Sequence, residues 1–288
     1  MEAAGKRYII YRSKSDIITL HNITDIHWLS KGCAEKRVRA DVKAIAEDPY
    51  SFWVGGGDYC DYIGYHDQKR FDPDAVADWI PISKLGQLGA YGREQIKKLF
   101  WPIRHKCLGL LFGNHERKYE VLQEQQDGHA WLCTELGVPN LGYSCLMDLV
   151  FVRQHKRRTI QLVSANEVSE SGDHDAFRLF LHHGAGFAQT KGGKLNRLKQ
   201  FMDSFVADVF MVGHVHDKTG TDVTMIGGDR ACKELMDVVK VGVISGGYLR
   251  TYAPGVTTYG EQRGYAPTTL GTAWVQFRPF KHQILGRS

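Results

Sequence analysis

Short apolar runs, each broken by glycine or polar residues, recur along the chain at Ile17 to Ile23, Phe52 to Val54, Leu108 to Phe112, Phe177 to Leu181 and Val209 to Val212. Runs of this length between turn residues read as buried strands. Between the first two, Val38, Val42 and Ile45 recur at helical spacing, which predicts a helix over about Ala34 to Glu47 that stops before Pro49. Val238 to Ile244 and Trp274 to Phe277 predict further strands near the end. Strand, loop and helix thus alternate, the pattern of an α/β domain with a parallel-rich core and its functional groups at the carboxyl ends of the strands.

The polar residues that close these runs are chemically alike. They are Asp25-Ile26-His27, Gly57-Asp58, Gly113-Asn114-His115-Glu116, His182-His183 and Gly213-His214-Val215-His216. If the chain stays extended, side chains two apart share a face, so Asp25 with His27 and His214 with His216 can each grip one centre. A carboxylate between two such pairs, as Asp58 could be, can bridge two cations. Imidazole, carboxylate and amide ligands together suit manganese, iron, zinc or nickel better than calcium or magnesium. Any one piece alone could be an ordinary turn. Five in this order, each at the end of an apolar run, point to a two-metal hydrolytic site.

In these pieces the sequence resembles the calcineurin-like metallophosphoesterase superfamily, whose pattern is Asp-x-His, Gly-Asp, Gly-Asn-His-Asp/Glu, a histidine after a strand, and Gly-His-x-His. The match runs from Asp25 to His216. The resemblance implies a four-layer α/β sandwich of two mixed β-sheets flanked by helices. It also implies two divalent metal ions, manganese (Mn) first, with Fe, Zn or Ni as alternatives. Asp25, His27 and His216 would hold one; Asn114, a histidine of the His182-His183 pair and His214 the other; Asp58 would bridge. Alignment with the family pattern favours His182 as the ligand, leaving His183 to support it or face substrate together with Arg117. His115 would protonate the leaving oxygen, oriented by Asp61 or Glu116, while a metal-activated hydroxide attacks phosphorus.

Departures narrow the resemblance. Gly57-Asp58-Tyr59-Cys60-Asp61 is similar to the protein Ser/Thr phosphatase motif, but Tyr62-Ile63-Gly64 stands where that branch has its phosphate-binding arginine, and Trp28 stands where it has glycine. The layout is more similar to metallophosphoesterases of bacteriophages and prokaryotes. The implied function is a phosphodiesterase or nuclease acting on nucleic acid or nucleotides. A phosphomonoesterase, or a non-catalytic scaffold of the same fold, is the alternative; retention of His115 and of every metal position disfavours the scaffold.

Composition changes this picture little. At 288 residues, 43% hydrophobic and 24% charged, the chain suits one elaborated domain, with residues 61–104 as a candidate cap over the site. The six cysteines lack Cys-x-x-Cys spacing, and no stretch approaches the ~18 apolar residues of a membrane span, which favours a soluble cytoplasmic protein. The formal charge of +5, with Arg117, Lys118, Arg153, Lys156, Arg157 and Arg158, favours a polyanionic phosphoester substrate such as nucleic acid. Gly184 to Lys199 predicts a glycine-rich turn entering a basic helix whose first N–H groups suit a phosphate.

Overall fold

The computed structural model describes residues 1–64, 67, 71–119, 127–154, 159–168, 173–186, 188, 190–229 and 231–287. In chain order the elements are β1 (Glu2–Tyr11), β2 (Ile18–Ile23), α1 (Glu35–Glu47), β3 (Ser51–Gly55), α2 (Leu88–Phe100), β4 (Cys107–Leu110), α3 (Asn114–Tyr119) and α4 (Gly128–Leu136). They continue as β5 (Ser144–Arg153), β6 (Gln161–Val163), β7 (Asp173–His182), α5 (Lys191–Ser204), β8 (Val209–Val212), β9 (Thr219–Gly228), β10 (Leu235–Ile244), α6 (Tyr259–Gln262), β11 (Ala273–Arg278) and β12 (Gln283–Arg287). All the expected strands form, with β7 starting four residues earlier than its apolar run.

Two mixed sheets result, one ordered β6-β1-β5-β7-β8-β10-β9 and the other β12-β11-β2-β3-β4. The sheets are less parallel than the alternating pattern predicts. β2, β3 and β4 run parallel, as do β7, β8 and β10, but β11 and β9 close the two sets antiparallel.

Side-chain parity explains the layers. In β3, Phe52 and Val54 point into the core between the sheets, where they meet Leu149, Phe177, Leu179 and Phe277. Trp53 points the other way, into a second apolar layer with Val38, Val42 and Ile45 of α1 and Ile96 and Phe100 of α2. A strand buried on both faces reads as a continuous apolar run, not an alternating one. α1 has no side-chain cap at its start, so its apolar stripe holds it in place; burying Val38, Val42 and Ile45 contributes about 1.5–3 kcal/mol each. On the opposite flank Leu198 and Met202 of α5 cover Phe180, Phe210 and Ile244. The four-layer α/β sandwich with helices on both outer faces is therefore present.

Within 61–104, Tyr62, Ala77, Ile80, Leu88, Ile96, Leu99 and Phe100 join the apolar layer beneath α1. Residues 65–66 and 68–70 of that stretch lie outside the described residues, as does the basic run 155–158. At the start of α5, the Thr190 hydroxyl already accepts from Gly193 N at 3.1 Å, and Lys194 turns inward to Asp217 at 3.2 Å, so the helix start is less open to phosphate than its composition suggests. Residues 187 and 189, which precede it in sequence, are not among those described. Among the described residues no helix is long and apolar enough to cross a membrane.

Candidate metal centre

The expected motifs converge where the carboxyl ends of both sheets meet. β2, β3 and β4 deliver Asp25, His27, Asp58 and Asn114 from one sheet; β7 and β8 deliver His183, His214 and His216 from the other. This is the edge at which open α/β sheets carry their sites.

The local geometry differs from the extended segments assumed above. Asp25, His27, Asp58, His214 and His216 all have positive φ, between 47° and 70°. Side chains two apart converge because the backbone turns in the left-handed region after each strand. That conformation costs a non-glycine residue roughly 1–2 kcal/mol and persists only where neighbours over-determine it. Here the loops brace each other: Asp25 N donates to Gly57 O at 2.9 Å, Ile26 N and His27 N to Asp58 O at 2.9 and 3.1 Å, and His214 N to the Asp25 carboxylate at 2.8 Å.

Among the described residues three groups of ligand-type atoms form, each within 4.8 Å of one another: Asp25, His27 and His216; Asp58, His183 and His214; and His27, Asp58 and His115. Asp58 belongs to two of them. Asp25 Oδ1 lies 3.4 Å from His216 Nε2, and Asp58 Oδ2 lies 3.4 Å from His183 Nε2. The Asn114 amide oxygen joins the second group at 3.1 Å from His183 Nε2.

Hydrogen bonds fix which ring nitrogen faces the centre. His27 Nδ1 donates to Asp61 Oδ1 at 3.0 Å and His183 Nδ1 to Gly56 O at 2.8 Å. In the neutral rings each Nε2 then presents a lone pair, the arrangement in which an outer carboxylate or carbonyl orients a metal-binding histidine. His27 Nε2 and Asp25 Oδ1 are both buried without a hydrogen-bond partner. A carboxylate oxygen and an imidazole nitrogen left without hydrogen bonds in one buried group are costly in a protein alone. A divalent cation satisfies both, so these residues fit the metal that the motifs imply.

One expectation needs correction: the structure brings His183, not His182, into the cluster. In β7, Leu179 and Leu181 point into the core between the sheets, so His183 continues that face. Phe180 and His182 point to the α5 side, where the His182 ring lies 4.8 Å from that of Phe201 and its Nδ1 accepts from Gly184 N at 2.8 Å. Arg117 is exposed on α3.

The support for His115 is also more specific than expected. His115 Nδ1 contacts the main-chain oxygen of Asp61, while Glu116 does something else. The buried Glu116 carboxylate accepts from Gly113 N at 2.8 Å, Asp58 N at 2.9 Å and Tyr59 N at 2.7 Å, tying the β3 and β4 loops together. Thr24, which sequence reasoning passed over, donates its hydroxyl to Asp25 Oδ2 at 2.7 Å. Gly113 permits this closeness, since a Cβ there would fall 2.0 Å from Asp58 Oδ1 and 2.6 Å from Asp58 N. Gly113→Ala is expected to destabilise the fold by about 1–3 kcal/mol and to weaken metal binding, checked by thermal unfolding and metal titration; unchanged values in both would discount the contact.

Charge is distributed unevenly over the histidines. Burial disfavours a proton on His27 and His183, yet Asp61 beside the first and Asp58 beside the second outweigh it, raising them to about 9 and about 10. Burial takes His216 down to about 4 and also lowers His214 and His115. Burial would raise the Asp58 carboxyl, but His183, His115 and His27 hold it well below the usual range. Burial and the charge on Asp58 push Glu116 up to about 7 against its N–H donors. His27 and His183 thus each draw a positive charge beside a carboxylate, a demand that a bound cation would meet by displacing the proton.

No protein-family model matches the chain, and no curated protein matches its sequence. Among solved structures it is similar to wild-type Vps29 complexed with Zn²⁺ from Entamoeba histolytica, at 10% identity and a TM-score of 0.40, covering 91% of this chain and 87% of that one. It is similar to an uncharacterised protein of Streptococcus pneumoniae described as a predicted phosphoesterase, at 10% identity and a TM-score of 0.34, covering 94% and 99%. The NAD nucleotidase of Haemophilus influenzae is similar at 10% identity and a TM-score of 0.39, covering 95% of this chain and 49% of that one.

Proposed function

We propose that this chain is a metallophosphoesterase of the calcineurin-like superfamily that hydrolyses phosphodiesters with two divalent cations, manganese first. The observation that carries the reading is Asp58, a buried carboxylate shared between two groups of ligand-type atoms, one with His27 and His115 and one with His183 and His214. Asp25, His27 and His216 would hold one cation and Asn114, His183 and His214 the other, with Asp58 between them. Such cations supply Lewis-acid charge to the phosphoryl oxygens and to a water nucleophile.

The chain's own residues position and protonate. Asp61 orients His27 through its carboxylate and His115 through its main-chain oxygen. With Nδ1 of His115 committed to that carbonyl, Nε2 is the nitrogen that gives its proton to the leaving oxygen. Burial, helped by the neighbouring His27, lowers the proton affinity of the ring, and Asp58 and Asp61 offset part of that loss. His115→Ala is expected to lower kcat by about 10²–10⁴ for a diester with an alkoxide leaving group. It should cost far less for a p-nitrophenolate, which needs no proton, and bound metal should be retained. Equal losses on the two substrates would count against the acid role.

The test of the overall reading is hydrolysis of bis-p-nitrophenyl phosphate and of p-nitrophenyl phosphate by the wild type, with manganese and with chelator. Diester turnover abolished by chelator is expected. Turnover of the monoester alone would replace the diesterase reading with a phosphatase, and silence on both would favour a scaffold.

A further inference from the structure

Between Ile244, where β10 ends, and Ala273, where β11 begins, the chain forms a long loop with only the short α6 inside it. Connections of this length within a compact domain usually serve binding or catalysis. This one is rooted on the metal centre. Tyr248 N donates to Asp25 O at 2.8 Å, and a Cβ on Gly247 would lie 2.8 Å from Asp25 Cβ and 3.5 Å from His216 Nδ1.

The loop is fastened at its root and within. Gly271 N donates to Gly247 O at 2.8 Å and Gly246 N to Gly271 O at 3.1 Å, pinning the two ends together. Inside, the Thr258 hydroxyl donates to Thr251 O, which brings the start of α6 alongside the outgoing strand of the loop. What this frame holds outward is aromatic and cationic. Tyr252 is 46% exposed and Tyr259 63%, the Arg263 guanidinium sits 5.1 Å from the centre of the Tyr259 ring, and the Tyr265 ring stands edge-on to Tyr259 at 6.2 Å.

We infer that this loop is a platform on which the bases of a single-stranded polynucleotide stack while one of its phosphodiesters lies at the metal centre. The inference rests on the phosphoesterase reading above. The root of this loop lies beside Asp25, and the loop offers exposed tyrosines and a guanidinium to whatever extends from the phosphorus on that side. Planar bases stack on such rings whatever their sequence, and the anionic linkers between them suit the cation. A duplex keeps its base faces stacked on each other, so only a single strand can use the rings. Tyr252 is four residues beyond Tyr248 and so within about 14 Å of it, a span of about four stacked nucleotides. The Thr258–Thr251 hydrogen bond keeps Tyr259 in the same neighbourhood, and the formal charge of +5 adds attraction that does not depend on sequence.

The experiment measures fluorescence anisotropy of a short fluorescein-labelled oligothymidylate with the full chain in chelator at one fixed salt concentration. It is paired with bis-p-nitrophenyl phosphate turnover in manganese. The double variant Tyr252→Ala/Tyr259→Ala is expected to bind the oligonucleotide at least ~10-fold more weakly and to turn over the small diester as the wild type does, which also reports that the site is folded. Tyr252→Phe/Tyr259→Phe keeps both rings and should bind like the wild type. The platform is overturned if the wild type does not bind the oligonucleotide, if the double alanine variant binds equally well, or if the phenylalanine variant loses as much as the alanine one. Ring-dependent binding by a wild type that is silent on the small diester would sink the hydrolytic reading and keep the platform. Metal-dependent turnover with ring-independent binding would do the reverse.

Discussion

Asp58→Ala is expected to lower diester turnover by at least ~10³ at saturating manganese, more than the loss of one oriented electrostatic group in an active site. The reason is its double membership: its carboxylate stands with His183 and His214 on one side and with His27 and His115 on the other. If two cations bind as proposed, its removal would take charge from both together. Asp58 Oδ1 also accepts from His115 N at 2.9 Å, so alanine loosens the start of α3 as well. Asp58→Asn separates the two effects, because an amide oxygen keeps that hydrogen bond but brings no charge. We expect the asparagine variant to remain folded, by thermal unfolding, and to be nearly as inactive as alanine. An asparagine variant with more than a tenth of wild-type turnover would show that the bridging charge is not what the site needs.

The second large effect discriminates between adjacent histidines. His183→Ala is expected to lose more than the ~10–100-fold in metal affinity typical of residues that merely support a ligand, together with nearly all turnover. His183 is fully buried, its Nδ1 is held by Gly56 O, and its Nε2 is within reach of both Asn114 and Asp58. His182→Ala removes a ring that packs on Phe201 at the α5 flank, and should cost some stability while leaving metal stoichiometry intact. Metal content by mass spectrometry and turnover of bis-p-nitrophenyl phosphate, measured on both variants, read the contrast directly. A His182 variant that loses its metal while the His183 variant keeps it would restore the order favoured by the motif alignment.

That reversal illustrates where sequence reading ends. The run Phe177 to Leu181 announces a strand, and two histidines at its end announce chemistry. Both faces of β7 are apolar, however: Leu179 and Leu181 look into the core between the sheets, and Phe180 looks to α5. With no polar alternation, the sequence carries no sign of which parity leads to the site. The conformation of Asp25, His27, Asp58, His214 and His216 was equally hidden. Left-handed backbone at aspartate and histidine is disfavoured locally and exists here because Gly57, Asp58 and Asp25 hold the neighbouring loops through hydrogen bonds across the chain. Glu116 sits in a recognisable motif, but its three N–H donors come from residues on two different loops, and that clamp appears only once β3 and β4 are side by side.

By itself the sequence determined the strands around the site, the helix α1 and the donor types that make a metal centre chemically reasonable, because apolar periodicity and ligand chemistry are local properties of the chain. Only the tertiary structure decided which histidine of the pair enters, how Asp61 and Glu116 brace the ligands, and that the loop after β10 stands beside Asp25. Those are set by contacts between residues far apart in sequence, whose energies outweigh the local preferences that a sequence displays.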